Sequence, residues 1–477
     1  MKDTVLYKLI NNGLACFRWI TPPLMLISLV ACRPDTSTAQ DPWQLADSIL
    51  SRIKEPVFRD AEYSVVDYGA KGDGREDCTD EFKKAIDVCS QDGGGKVVVP
   101  PGEFLTGPIH LKSNVNLHLA EGAVIKFYRE AKRYTPLVLT RWEGVECMNY
   151  SPLIYAYEQT DIAVTGKGIL DGQASDEYWW PWKGNKQDGW KDGMPNQLKG
   201  RTKLFGMGEK GVPVEERVMG DGYYLRPSFI QPYKSKNILI EGIKVINSPM
   251  WEIHPVLSEN ITVRGVHIET HGPNNDGCNP ESCRDVLIED SYFDTGDDCI
   301  AIKAGRNNDG RRVNMPSENI VIRRCIFRDG HGGVTIGSEM TGGVRNVFAE
   351  ACEFESPILY SALRIKTNAV RGGIVENIYL RNMNVRLVDR AVVDIDLFYE
   401  EGRNGGFLPT VRNINVEGMI VEKCKVAFNL VGYEGAPLQE IRFVDCDFKE
   451  VSDGFKVEQV KDISFVRTRL NGKPFEQ

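Results

Sequence analysis

The chain of 477 residues is long enough for two or three domains, or for one large domain built of repeats. Its formal net charge of −9 argues against nucleic acid as the main partner, because a phosphate backbone is bound by a basic surface. The charge does not exclude an anionic sugar polymer, which needs only a local group of lysines and arginines.

Residues 1–31 are typical of a targeting segment, with basic residues ahead of a short apolar run. The run ends in Leu-Val-Ala followed by Cys32, which resembles a bacterial lipoprotein box. We therefore expect a signal peptide over 1–31, lipidation of Cys32, and a polar leash over residues 32–42. A signal peptide cleaved without lipidation and a retained anchor helix are the alternatives.

Two amphipathic helices are predicted at the start of the folded domain, which we place at residues 43–477. The pattern over residues 79–90 puts apolar side chains on one helical face, and we expect this helix to cap a stack of strands. Residues 43–54 are predicted to form a second helix packed nearby. The run 96–102, which follows a glycine turn, is predicted to be the first buried strand.

Residues 171–226 lack any strand period and are rich in glycine, lysine and aromatic residues. A long irregular segment in a compact domain usually has a functional role. Two interpretations stay open. The segment is either a wall over a substrate cleft or a loop that packs its own aromatic side chains.

From about residue 237 the chain repeats one pattern: asparagine or aspartate, an apolar residue, any residue, and another apolar residue. Successive copies are 22 to 36 residues apart and none contains a helical pattern. Short strands at this interval are typical of a parallel β-helix, in which each repeat forms one coil. The opening residue can adopt a left-handed conformation and hydrogen-bond along the stack. The copies open at Asn237, Asn260, Asp285, Asn319, Asn346, Asn377 and Asn413, with weaker copies at Asp161, Glu440 and Asp462.

The position six residues after each opening residue is predicted to face the core. Three cysteines occupy it, and we expect Cys325, Cys352 and Cys446 to be small buried hydrophobic residues. Cys325 and Cys352 could pair geometrically, but free thiols are the favoured alternative.

Three polar segments interrupt the repeat on successive coils, at Asn274 to Asp276, Gly296 to Asp298 and Gly330 to Gly332. Asp297 and His331 both follow their opening residue by 12 positions. Because equal phase in a coil stack means lateral adjacency, these two side chains are predicted to be neighbours.

Strand parity predicts cations on the same outer face. Lys303 alternates with inward isoleucines, and Arg364 and Lys366 flank another inward isoleucine. Strict alternation would turn Asp298 towards the core, so its outward position depends on the turn at Gly296.

Carboxylates, an imidazole and cations on one face suit the hydrolysis of a bond between acidic sugars. That reaction needs a protonated acid at the leaving oxygen and a carboxylate that activates water or acts as a nucleophile. Crowded carboxylates raise one another's pKa, which keeps one of them protonated. A calcium site built from the same aspartates is the main alternative, but the loops lack the spacing of a calcium-binding loop.

The chain resembles the polygalacturonase family of glycoside hydrolases, family 28, over about residues 60–470. Four motifs carry the resemblance: Asn274 to Asp276, Gly296 to Asp298, Gly330 to Gly332 and Arg364 to Lys366. The resemblance implies an all-β chain folded as a single-stranded, right-handed parallel β-helix. It also implies an inverting mechanism without metal or cofactor.

The resemblance implies a role for each motif residue. Asp297 matches the general acid, Asp276 and Asp298 match the pair that holds and activates water, and His331 matches the residue that tunes the acid. Two positions depart from the family pattern, since Asn275 replaces the usual threonine and Asn279 replaces a frequent aspartate. The expected substrate-binding residues are Asn274, Lys303, Arg364, Lys366 and Tyr399.

Wide coil spacings beside the motifs, together with the segment 171–226, favour a walled pocket and cleavage from a chain end. The run Gly337 to Met340 is also similar to that of bacterial exo-acting members. The expected substrate is pectin, as galacturonan, or rhamnogalacturonan with a galacturonate–rhamnose linkage. A calcium-dependent pectate lyase and a non-catalytic β-helix adhesin remain as other classes.

The expected partners follow from this interpretation. We expect no nucleic acid, and contact with a membrane only through the lipid on Cys32. We expect a monomer in the cell envelope of a Gram-negative bacterium, in the periplasm or on the outer-membrane surface.

Overall fold

The computed structural model describes residues 41–476. The predicted signal peptide, the lipidation site Cys32 and most of the predicted leash lie outside these residues. The chain from Pro42 onward forms one compact unit. Among the described residues, no helix combines the length and hydropathy that a membrane crossing requires.

The strands form three parallel ladders along a right-handed parallel β-helix, which confirms the predicted fold. The first ladder contains 13 strands that stack in chain order. They are Glu62–Ser64, Gly95–Val99, Val115–Leu119, Thr160–Gly166, Lys236–Glu241, Glu259–Arg264, Arg284–Glu289, Ser317–Arg323, Val344–Glu350, Ile374–Arg381, Thr410–Glu417, Leu438–Val444 and Val460–Val466.

The second ladder also follows chain order and ends in a short antiparallel pair. Its strands are Asp73–Asp77, Gly102–Thr106, Ala123–Phe127, Ile169–Asp171, Lys244–Ile246, His267–Thr270, Tyr292–Thr295, Ile326–Phe327, Glu353–Glu355, Asn384–Asp396, Ile420–Val431, Asp447–Val451, Arg469–Leu470 and Lys473–Pro474.

The third ladder carries the polar motifs. Single bridges join Ile230 to Ile253, Ile253 to Cys278 and Cys278 to Ile300, so the ladder continues through coils that have no full strand there. Its strands are Ile109–His110, Ile154–Tyr157, Ile230–Tyr233, Ile300–Ile302, Val334–Gly337, Leu363–Lys366 and Lys456–Glu458, together with the ends of Asn384–Asp396 and Ile420–Val431.

The opening residues of the repeat form a side-chain ladder, as predicted. All ten have a positive φ between 55° and 60°, which asparagine and aspartate tolerate better than other residues with a Cβ. The Asn346 amide donates to Asn319 Oδ1 at 3.0 Å, and its own oxygen accepts from Asn377 at 3.0 Å. Such hydrogen bonds fix the coils that they join in register with each other.

The core fills the space between the ladders. The predicted inward position is buried on every coil that opens at Asn237 or later, including Cys325, Cys352 and Cys446. The ten cysteines among the described residues are all buried and free, which confirms the expectation for Cys325 and Cys352. A stack of Phe293, Phe327 and Phe354 runs through the core with ring centroids 4.9 to 5.7 Å apart.

Four α-helices accompany the coils: α1 (Trp43–Arg52), α2 (Thr79–Gln91), α3 (Leu198–Glu209) and α4 (Asn307–Val313). Helix α2 packs on the first coils and buries Phe82, Ala85, Ile86 and Cys89 in the core, so it is the predicted cap.

The predicted position of α1 beside that cap is wrong. Trp43, Ala46 and Ile49 instead contact Leu287, Val321 and Phe348 on the outer face of the first ladder, in the middle of the stack. Leu287, Val321 and Phe348 occupy the third position of the repeat, which any residue type can fill. Their apolar character creates an outward stripe that the helix covers.

The prediction of residues 96–102 as the first buried strand is confirmed by Gly95–Val99, in which buried and half-buried residues alternate, although this strand ends at Val99. Two earlier strands, Glu62–Ser64 and Asp73–Asp77, are largely exposed, and the former pairs with Lys96 to Val98. These two strands are short and largely polar, so they have no period-2 signal in the sequence.

Two further segments cover the third ladder. A hairpin of Val138–Trp142 and Val145–Asn149 lies beside the coils. The segment after Asp171 contains α3 and three short 3-10 turns, Trp180–Lys183, Lys186–Asp188 and Val214–Glu216. Two more 3-10 turns, Val65–Tyr68 and Ala131–Tyr134, lie in the first coils.

Candidate active site

The three aspartates of the motifs lie together in a cavity of about 230 Å³ on the outer face of the third ladder. His331, Lys303, Lys366, Tyr399 and Asn274 line the same cavity. The remaining lining residues are Glu143, Lys183, Arg201, Trp251, Ser338, Glu339 and Glu400.

Asp276 is almost completely buried at the end of its turn. Its Oδ2 accepts from Asn279 Nδ2 at 3.1 Å and lies 3.4 Å from Lys303 Nζ. Burial raises its pKa to about 8, and the neighbouring carboxylates add to that shift although Lys303 opposes it. A carboxyl group with such a pKa keeps its proton at neutral pH.

Asp297 and His331 form a hydrogen-bonded pair. His331 Nδ1 lies 2.9 Å from Asp297 Oδ1, so the prediction from equal coil phase is met by the geometry. Burial acts to raise the pKa of Asp297, but the hydrogen bond and charge of His331 outweigh it and hold that pKa below its ordinary value. Burial acts to lower the pKa of His331, yet Asp297 raises it above its ordinary value.

The free side of Asp297 faces the cavity. Its Oδ1 is occupied by His331 and by the Asp298 backbone N–H at 3.0 Å. Its side chain is 18% exposed, against 4% for Asp276 and 1% for Asp298. Asp297 is therefore the most accessible carboxyl of the trio.

Asp298 lies just before the strand Ile300–Ile302, where the turn interrupts the alternation that would have pointed it inward. Lys366 Nζ donates to its Oδ2 at 2.6 Å, and Thr335 donates to its Oδ1 at 3.1 Å. Arg364 is 3.8 Å away. This environment holds the carboxylate in place towards the cavity.

Lys303 connects two carboxylates across the cavity floor. Its ammonium lies 3.2 Å from Glu339, 3.4 Å from Asp276 and 4.4 Å from the centre of the Trp251 ring. These carboxylates raise the pKa of Lys303 although burial opposes that shift. The side chain points outward as parity predicts.

Arg364 and Lys366 flank the inward Ile365, and both approach the ring of Tyr399. The distances to the ring centre are 5.8 Å for Arg364 and 5.3 Å for Lys366. Lys366 acts to lower the pKa of Tyr399, and burial with nearby carboxylates raises it overall. Tyr399 thus closes one side of the cavity as a neutral phenol.

The asparagines of the first motif have separate tasks. Asn275 accepts from Thr270 and Gly272 and donates to two backbone carbonyls, so it stabilises the turn. Asn279 donates to Asp276. Asn274 Oδ1 accepts from Lys183 at 2.7 Å and from Arg226 at 2.8 Å.

Sequence reasoning missed several residues of the cavity. Glu143 lies at the turn of the hairpin, and Lys183 and Arg201 belong to the segment 171–226. None of the three belongs to the repeat, so coil phase gives no information about them. Glu339 lies within the run Gly337 to Met340, and neither the motifs nor strand parity predict a role for it.

The segment 171–226 also packs its own aromatics. Trp179 lies 5.6 Å from Tyr134 and 5.0 Å from Trp182, measured between ring centres. The two interpretations of this segment therefore both describe part of it.

Larger grooves elsewhere lack this chemistry. One of about 910 Å³ follows the second ladder and is lined by paired charges such as Arg328 and Glu355. Within residues 41–476, one group could offer three metal ligands close together: His271, Asp294 and Asp329 have ligand atoms within 4.8 Å of one another. That group does not include the trio.

Comparison with known proteins agrees with the site. The family model described as glycosyl hydrolases family 28 matches residues 217–464, and one described as rhamnogalacturonase A/epimerase, pectate lyase-like, matches residues 63–123. A probable polygalacturonase from Vitis vinifera is 32% identical over 399 residues, covering 79% of this chain and 72% of that protein.

Two exo-acting proteins are also similar. An exo-poly-alpha-D-galacturonosidase from Dickeya chrysanthemi is 28% identical over 71% of this chain and 57% of its own length. A hyperthermoactive exopolygalacturonase from Thermotoga maritima with a known crystal structure is 47% identical in sequence. Its structure matches this one with a TM-score of 0.87, covering 91% of this chain and 97% of that one. The family model spans the three aspartates, His331 and the cations of the third ladder, and on these grounds the chain belongs to glycosyl hydrolases family 28.

Proposed function

We propose that this protein hydrolyses galacturonan from a chain end by an inverting acid–base mechanism. The observation that carries the proposal is the cavity itself, in which three carboxyls, an imidazole and several cations meet in about 230 Å³. Carboxyl groups supply the acid and base of glycoside hydrolysis, and cations suit a substrate whose sugars carry carboxylates.

Asp297 is the proposed general acid. In the free site Asp276 and His331 each hold a proton. The pKa of Asp276 is raised to about 8 and that of His331 is also raised, whereas the pKa of Asp297 is lowered. The proton that His331 shares with Asp297 is the one we assign to the leaving oxygen, since Asp297 presents the most accessible carboxyl oxygen. His331 then serves as the proton store of the pair.

Asp298 is the proposed base, and Asp276, which keeps its proton in the free site, is proposed to hold the water. Lys366 stabilises the Asp298 carboxylate at 2.6 Å, so this group can accept a proton from water. The water hydroxyl bonds to the anomeric carbon while its proton passes to the carboxylate. The glycosidic bond breaks, and the leaving oxygen takes the proton of the acid.

The dimensions of the cavity support cleavage at a chain end. Ligand pockets for drug-sized molecules typically measure roughly 300–1,000 Å³, and this cavity measures about 230 Å³. Glu143, Lys183 and Arg201 lie on its wall, contributed by the hairpin and by the segment 171–226. Such a small, walled space suits one terminal sugar better than a continuous chain.

Rhamnogalacturonan is the second candidate substrate. The observation that favours it is the match of residues 63–123 to the rhamnogalacturonase-type model. That region forms the first coils, while the catalytic motifs lie on later ones, so we place galacturonan first.

The test combines two assays on one incubation. The protein is mixed with polygalacturonate and a metal chelator, and reducing ends and the ultraviolet absorbance of an unsaturated product are followed together. We expect reducing ends without absorbance and with full activity in chelator. A chelator-sensitive rise in absorbance would show a lyase instead, and activity on rhamnogalacturonan alone would select the second substrate.

We also propose that the protein is lipid-anchored in the cell envelope through Cys32. The lipoprotein-type sequence before Cys32 supports this proposal. Labelling of expressing cells with a radioactive fatty acid should mark the protein, and Cys32→Ser should remove the label. Label retained in that variant would contradict the proposal.

A further inference from the structure

Arg226 is a buried cation without a counter-ion. Its side chain is fully inaccessible, and its guanidinium donates to Gln197 Oε1, to the carbonyl oxygens of Pro249 and Pro273, and to Asn274 Oδ1. All four acceptors are neutral. Within residues 41–476 no carboxylate oxygen lies within 4.0 Å of it.

Lys183 is half-buried in the cavity wall and likewise has no carboxylate partner among the described residues. Its ammonium donates to Asn274 Oδ1 at 2.7 Å, and burial lowers its pKa. By contrast, Lys303 and Lys366 in the same cavity each touch a carboxylate, at 3.2 Å and 2.6 Å. Of the three cavity lysines, Lys183 is the one without a carboxylate inside 4.0 Å in the described part of the chain.

These two cations meet at one amide. Asn274 Oδ1 accepts from both, so its Nδ2 is left as a donor, and Asn274 lines the cavity. An unpaired buried charge costs folding free energy, and it persists where a ligand supplies the missing partner. The arrangement of two positive charges and an amide donor points to an anion.

The proposal rests on the function proposed above. We propose that Lys183 binds the carboxylate of the terminal galacturonate, while Arg226 holds Asn274 and adds a second positive charge behind it. Both cations belong to the segment 171–226. The segment that walls the cavity therefore also selects an acidic sugar at the chain end.

A neutral terminal sugar would leave this charge unpaired. A methyl ester in place of the carboxylate removes the charge but keeps the ring and its hydroxyls. A site built around a polar group rejects the analogue that lacks it far more strongly than a site that merely accommodates shape. We therefore expect discrimination between acid and ester at the terminal sugar.

The test uses two digalacturonates, one with a free acid and one with a methyl ester on the non-reducing sugar. Wild-type kcat/KM should favour the free acid by roughly 100-fold. Lys183→Met should lower kcat/KM for the acid by about the same factor, mainly through KM, and leave the ester little changed. Lys183→Arg should restore part of the preference.

Lys186→Met is the matched control. Lys186 belongs to the same segment but is exposed and pairs with Asp192 at 3.3 Å, so its loss should leave the preference intact. Lys183→Met should also melt at a higher temperature than wild type, because it removes a half-buried charge that has no carboxylate partner within residues 41–476. A Lys183→Met protein that keeps the wild-type acid preference would overturn the proposal.

Failure of the proposed function can be told apart from failure of this inference. A wild-type protein that releases galacturonate from neither substrate contradicts the function. Calorimetry with galacturonic acid and galactose then tests the inference without turnover. Wild type should bind the acid and not the neutral sugar, and Lys183→Met should bind neither; equal binding of the acid by both proteins would overturn it.

Discussion

The three aspartates differ chiefly in what touches them. Asp276 is buried beside Lys303, Asp298 is held by Lys366, and Asp297 is paired with His331 and open to the cavity. Asp276 and Asp297 thereby obtain different proton affinities, and the three side chains differ in their access to a substrate. The proposed roles of acid and base follow from these neighbours.

A substrate with a good leaving group separates the roles. Asp297→Asn should lose roughly 10³-fold or more of kcat on oligogalacturonate, yet recover much of it on an aryl galacturonide, because that leaving group needs no protonation. Asp276→Asn and Asp298→Asn should stay impaired on both substrates. Recovery by Asp276→Asn instead would transfer the acid role to Asp276, whose raised pKa makes it the alternative donor.

The raised pKa of Asp276 also predicts a pH-dependent stability. An aspartate in the unfolded chain loses its proton near its ordinary pKa of 3.8, whereas folded Asp276 keeps it up to about 8. Folding stability therefore falls as pH rises between these values, by roughly a few kcal/mol.

The Asp276→Asn variant has no titratable group at this position, and its Lys303 keeps Glu339 as an ion-pair partner. Its melting temperature should exceed that of wild type at about pH 7, with the gap closing towards about pH 4. Thermal scans across this range measure the effect. A gap that is constant with pH would contradict the assignment.

At the scale of elements, the repeat explains most of what the sequence could predict. The opening asparagines set the coil phase, and this phase correctly places His331 beside Asp297. Helix α1 and the segment 171–226 could not be placed in the same way. Their positions depend on contacts with side chains outside the repeat, such as Leu287 and Phe348 beneath α1.

The contribution of the asparagine ladder to folding stability can be measured. Asn346→Ala removes two amide hydrogen bonds of about 1 kcal/mol each and leaves a Cβ at a φ of 57°. The left-handed conformation costs alanine roughly 1–2 kcal/mol, and glycine escapes that cost. Denaturation should therefore rank wild type above Asn346→Gly and Asn346→Gly above Asn346→Ala. Equal midpoints for the two variants would contradict the backbone argument.

Over the whole molecule, stability comes from stacked coils rather than from cross-links. The ten cysteines of residues 41–476 are buried and free, and burial raises the pKa of thiols such as Cys147. A protein that begins at residue 41 should show no thiol reactive towards a mercurial or disulfide reagent until it unfolds, and then ten. Reductant should leave its melting temperature unchanged. A native reactive thiol, or a melting temperature that falls in reductant, would contradict this packing.

The whole chain also explains why the site is both recognisable and incompletely predictable. The trio, His331, Arg364 and Lys366 lie on the repeat, so their motifs and phase reveal them. Glu143, Lys183 and Arg201 come from the hairpin and the irregular segment, where no period constrains the side chains. The proposed catalytic residues can thus be predicted from the sequence, whereas the residues of the wall that limits the substrate are identified only in the structure.

The central claim is that this cavity hydrolyses galacturonan from its end with inversion. Time-resolved proton NMR of a short oligogalacturonate tests it directly, because the anomeric signals report both product length and configuration. We expect free galacturonate as the first product from the α-linked substrate, appearing as the β anomer before mutarotation. Longer oligomers as first products, an initial α anomer, or an unsaturated sugar would each contradict the account.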